Sequence, residues 1–92
     1  MTISKRSQEL LLQSDSYELV RVLDRESSAI HHNITQAYVD SHELYVCKFL
    51  VGQTWFYVME THDYYRYVFD SHDAAVQFIT NINPNLKKTD FV

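Results

Sequence analysis

Ninety-two residues, 46% of them apolar and with only one Gly and one Pro, describe a single folded domain over 1–92 rather than a disordered chain. The net charge is −4, but four of the eight bases (Lys5, Arg6, Lys87 and Lys88) sit at the ends, so eleven acids face four bases between Ser7 and Leu86. That acidic body argues against direct nucleic-acid binding or membrane binding through basic groups, and a lone Cys47 leaves neither an internal disulfide nor a multi-cysteine zinc site.

In chain order, the first apolar run, Leu10 to Leu12, is too short for a signal-peptide core, and no later stretch reaches the length of a membrane span. A cytoplasmic chain is the expectation. Ser4 to Gln13 reads as helix from its Glu, Gln and Leu content. Asp15 followed by Glu18 fits a capping box for a second helix through Arg25, while Tyr17 to Leu23 fits a strand equally well. From Ile30 to Val39 both readings stand again, and a fourth strand over Ile34 to Val39, leading into the sheet, is preferred.

The second half is clearer. Leu44 to Val51 and Thr54 to Met59 are rich in β-branched and aromatic residues and are separated by Gly52 and Gln53, a hairpin signal with Gly suited to the first central turn position. Tyr64 to Phe69 reads as a third strand. Asp70 and Ser71 offer N-caps to an amphipathic helix carrying Ala74, Ala75, Val76, Phe78, Ile79 and Ile82, which ends before Pro84. The fold expected is therefore α+β: an antiparallel β-meander of three or four strands, N-terminal helical segments, and a C-terminal amphipathic helix on one face.

Pairing Val51 with Thr54 and Met59 with Tyr64 sorts the side chains. Tyr45, Cys47, Phe49, Val51, Thr54, Phe56, Val58, Tyr65, Tyr67 and Phe69 share the face that the C-terminal helix should cover. Leu44, Val46, Leu50, Trp55, Tyr57, Met59, Tyr64 and Val68 share the other, interrupted by Lys48 and Arg66. That second face is too apolar to meet water bare, so N-terminal segments or a second subunit in a homodimer should cover it.

One tetrapeptide pattern of acid, hydroxyl, histidine, acid occurs three times: Asp40 to Glu43, Glu60 to Asp63 and Asp70 to Asp73. Asp, Ser and Thr side chains bond to nearby amides, so turn and cap formation accounts for the pattern more simply than chemistry does. A metal site from His42, His62 and carboxylates lacks any paired ligand spacing, and no nucleophile elbow accompanies Ser41 or Ser71. No cofactor is implied. In a simple meander the first two copies would lie at one edge and the third at the opposite edge, making both ends acidic.

The acidic body, the absence of a catalytic motif, the apolar second face and the length together resemble the small anti-restriction proteins of T-even bacteriophages. That resemblance implies a non-enzymatic acidic homodimer that imitates duplex DNA in the infected bacterial cytoplasm and occupies the DNA-binding region of a host restriction endonuclease of the McrBC type. The residues it would place opposite the endonuclease are Asp15, Glu18, Asp24, Glu26, Asp40, Glu43, Glu60, Asp63, Asp70 and Asp73. The alternative is a phage or bacterial interaction module that binds a host protein through the apolar sheet face.

Overall fold

A computed structural model describes residues 3–25 and 29–88. Its elements are α1 (Lys5–Leu11), β1 (Ser16–Arg21), α2 (Gln36–Ser41), β2 (Tyr45–Val51), β3 (Thr54–Tyr57), β4 (Val68–Phe69), α3 (His72–Ile82) and β5 (Lys87–Lys88). The α+β class stands, with a mostly antiparallel sheet, an N-terminal helix and a C-terminal helix.

Local chemistry explains the helix starts. The Ser4 hydroxyl accepts from the Ser7 amide and caps α1, and the Ser7 hydroxyl in turn accepts from the Met59 amide at 3.0 Å. At the other end of α1, the buried Asn83 side chain donates to the Leu11 carbonyl at 2.9 Å, so α1 is tied at both ends to distant chain. Ser71 caps α3 by accepting from Ala74, as its sequence position suggests.

The segment from Ser16 is a strand, not a capped helix. β1 pairs antiparallel with β2 from Ser16 against Leu50 to Arg21 against Tyr45. The Asp15 and Glu18 signal yields because Tyr17 on one face and Val20 and Val22 on the other each find a core, which a helix here would forfeit. The expected fourth strand over 34–39 is a correction: Thr35 accepts from Tyr38 and starts the short helix α2. Both edges of β2 are already occupied, by β1 on one side and by β3 and β4 on the other, which leaves no place there for another strand.

The hairpin register, Val51 against Thr54 through Lys48 against Tyr57, is the one anticipated from the turn. Beyond it the chain does something the period of two does not announce. The Val58 amide still bonds to Cys47, but the chain then leaves β2, pairs with itself through Met59 against Arg66, and returns so that Val68 and Phe69 pair with Val46 and Tyr45. β3 and β4 thus lie one after the other along the same edge of β2, with residues 59–66 projecting as a hairpin between them. Met59 meets Arg66 in place of Tyr64, a shift of two residues that preserves the face of each side chain.

Two cores result. Cys47, Phe49, Val58 and Phe69 pack against Leu11 of α1 and against Ala75 and Ile79 of α3. On the opposite face Leu44 and Val46 are covered by Val22, Ile30 and Val39, so the chain itself covers that half of the apolar face. Leu50, Tyr57 and Met59 are half-buried and Trp55 is 40% exposed. The charged middle row is paired across the sheet: Lys48 reaches Glu18 at 3.2 Å and lies over the Trp55 ring, and Arg66 lies 3.8 Å from the centre of the Tyr57 ring.

Among the described residues the left-handed backbone conformations fall in turns. Gly52 has φ +62° with open space around it, whereas His62 and Asp63 at the hairpin tip are consecutive left-handed residues with side chains, at φ 79° and 60°. Gly52→Ala is therefore expected to cost about 1 kcal/mol and His62→Gly to gain up to about 1 kcal/mol. Urea denaturation with an unchanged denaturant slope is the measurement; a neutral Gly52→Ala would show that the turn relaxes.

Candidate functional site

The three acidic tetrapeptides occupy three different kinds of site: the C-terminal end of α2, the tip of the 59–66 hairpin, and the cap of α3. Because Phe69 pairs with Tyr45 in antiparallel register, Asp70 follows β4 at the same end of the sheet at which Glu43 precedes β2. The expectation that the third copy lies opposite the first is thereby corrected; contact between the Tyr45 and His72 rings, 5.6 Å apart, reflects the same proximity. Asp24 joins this end, since Arg21 pairs with Tyr45 and the Gln36 amide donates both to the Leu23 carbonyl and to Asp40.

One end of the sheet therefore carries Asp24, Asp40, Glu43, Asp70 and Asp73, all exposed, bordered by the bases Arg21 and Arg25 and by Lys88, whose ammonium contacts the His72 ring. Glu43 accepts from the Tyr45 hydroxyl at 2.7 Å, and this hydrogen bond, with a smaller contribution from burial, holds that phenol above its ordinary value of 10.0. Asp63 stands apart at the hairpin tip, and Asp15 lies at the far end of β1 beside Leu50 and Lys87. Glu18 is only 16% exposed and committed to Lys48, which removes it from any acidic surface. Glu26 lies outside the described residues.

Glu60, half-buried, lines a cleft of about 460 Å³ together with Asp70. Glu60 at the hairpin root and the return into β4, through Tyr67 and Val68, form one wall, and the connection from His31 into α2 forms the other, through Asn33, Ile34 and Tyr38. Sequence reasoning misses this cleft because no local pattern marks it; it exists only because the chain returns to β2 after its excursion.

Ser41 and His42 do not form a nucleophilic pair. Ser41 Oγ lies 2.8 Å from His42 Nδ1, but that nitrogen also faces the Tyr38 carbonyl at 3.0 Å, and the Ser41 hydroxyl donates to the same carbonyl at 3.2 Å. A carbonyl only accepts, so the tautomer assigned from these contacts carries its hydrogen on Nδ1 and cannot take a proton there from Ser41. Among the described residues no three His, Cys, Asp or Glu side chains converge as metal ligands. No helix among them is long and apolar enough to cross a membrane.

Comparison with protein-family models, with curated proteins and with solved structures finds no match to this chain.

Cys47 is fully buried beneath α3, and burial, aided by the Glu18 charge, pushes its thiol from 9.0 up to about 12. The folded state thus disfavours the thiolate. This contribution to stability is complete below pH 9 and is lost as pH rises from 9 to about 12, as the unfolded chain ionises first. The native protein should resist a thiol reagent at pH 8 and react at the rate of unfolding, and stability measured by urea should fall through the window above pH 9; rapid stoichiometric labelling of folded protein would contradict this burial.

Proposed function

We propose that this chain is a non-enzymatic acidic DNA mimic that occupies the DNA-binding region of a host restriction endonuclease in the bacterial cytoplasm, in the manner of the small anti-restriction proteins of T-even bacteriophages. The observation that carries the proposal is the convergence of Asp24, Asp40, Glu43, Asp70 and Asp73 at one end of the sheet. Each sits on a helix end, a cap or a strand connection. Such positions hold charge in solvent, away from the core.

Density is the physical requirement. Duplex DNA carries one charge per ~1.7 Å of axis, whereas residues on one face of a strand recur only every ~6.6 Å. A single strand cannot match phosphate spacing, so mimicry requires acids drawn from several elements, here α2, the β2 and β4 ends and α3. A homodimer would lengthen the row, and the incompletely covered part of the second sheet face around Leu50, Trp55, Tyr57 and Met59 is the surface offered for it. The second reading, an interaction module that binds a host protein through apolar groups, draws on the same residues and on Tyr64, which is 76% exposed beside the strained hairpin tip.

The two readings separate by salt. A mimic's inhibition of DNA cleavage should weaken steeply as ionic strength rises, and Asp40→Asn with Glu43→Gln should weaken it further at low salt while the melting temperature holds. Cleavage assays across a salt series are the measurement. Equal potency of parent and variant at every salt would remove the mimic and favour the apolar module.

A further inference from the structure

The cleft between the 59–66 hairpin and the connection into α2 has a chemistry that the acidic end alone does not. Two carboxylates, Glu60 and Asp70, line it from separate chain segments, and among the described residues no Lys or Arg does. Aromatic groups flank them: Tyr67 lies between the two carboxylates in sequence, and Tyr38 and His31 stand on the opposite wall. Ile34 and Val68 supply apolar surface, and the volume of about 460 Å³ suffices for a long side chain.

We propose that this cleft binds the guanidinium group of an arginine side chain presented by a protein partner. A guanidinium is planar, always charged, rich in donors and able to stack on aromatic rings, whereas an ammonium is a strongly hydrated point charge with no face to stack. Paired acceptors beside rings therefore select arginine over lysine. The Asn33 side chain offers a further acceptor at the rim. Both carboxylates act on one point, since the Tyr67 hydroxyl is raised above 10.0 by burial first and then by Asp70 and Glu60.

A protein-borne arginine is favoured over a free small molecule because Asp70 belongs at once to the cleft and to the exposed acidic end. A basic surface drawn to that end by charge arrives with its side chains beside the cleft mouth. The rings are also already held from outside the cleft. His31 packs edge-on against Tyr65 at 5.0 Å and Tyr38 stacks on His42 at 3.9 Å, so the walls are fixed before any ligand enters. The assignment does not depend on which protein supplies the arginine.

The test is an amide chemical-shift titration of the labelled full chain with an acetylated and amidated pentapeptide, Gly-Gly-Arg-Gly-Gly, beside its lysine and norleucine counterparts and agmatine. Saturable shifts at residues 31–34 and 66–70 are expected with the arginine peptide, weaker ones with lysine and none with norleucine. Glu60→Gln and Asp70→Asn should each weaken binding roughly tenfold, the loss of one charge-assisted hydrogen bond. Glu9→Gln, an exposed charge outside the cleft, should change nothing, and melting temperatures report whether each variant folds. Diffuse, unsaturating shifts, equal binding of lysine, or affinity retained in both cleft variants would overturn the proposal, as would saturation by agmatine alone. Because Asp40→Asn with Glu43→Gln leaves the cleft lining unaltered, inhibition lost in that variant with peptide binding retained would separate this inference from the mimic reading.

Discussion

Strand β2 is hydrogen-bonded along both edges, and the other elements take their places from that pairing. β1 occupies one edge over six residues; β3 and then β4 share the other. A strand so enclosed has side chains on both faces to bury, and each face acquires its own cover: α1 and α3 over Cys47 and Phe49, and Val22, Ile30 and Val39 over Leu44 and Val46. The buried polar tethers serve the same arrangement. Asn83 and Ser7 fasten α1 to residues 72 and 52 positions away, so the first helix is held by tertiary bonds rather than by its own seven residues.

The sharing of one edge by β3 and β4 has consequences for function. Two strands can follow one another along a single partner only if the chain between them leaves the sheet, and the 59–66 hairpin is that departure. Its root carries Glu60 and its return delivers Asp70 to the end of the sheet where α2 runs into β2. The gathering of acids at that end and the cleft beside it thus have one structural origin. The same excursion concentrates strain at His62 and Asp63, the two left-handed non-glycine residues among those described.

Electrostatics divides the acids into those available to a partner and those already used. Glu18 pairs with Lys48, whose ammonium also lies over the Trp55 ring, so this carboxylate is already engaged within the sheet. Asp40 and Glu43 accept hydrogen bonds from Gln36 and Tyr45 yet keep their charges in solvent. Within the repeated tetrapeptides Ser71 acts as a cap, and Ser41 and His42 both face the Tyr38 carbonyl.

Much of this was written locally and could be read there. The β2 to β3 hairpin follows from Gly52 between two β-branched and aromatic runs, α3 from Ser71 and the spacing of Ala75 and Ile79, and the facing of Cys47 and Phe49 toward that helix from the period of two. These features depend on neighbours in sequence, so a local pattern carries them. Whether Tyr17 to Arg21 was helix or strand, and whether 34–39 was strand or helix, depended on which edges of β2 remained open, a property of distant pairing that propensity does not contain. The position of Asp70 beside Glu43 rather than across the sheet was likewise decided by the return of β4 to β2, because strand register beyond a turn is set by burial and hydrogen bonding in the assembled sheet and not by the residues of the strand alone.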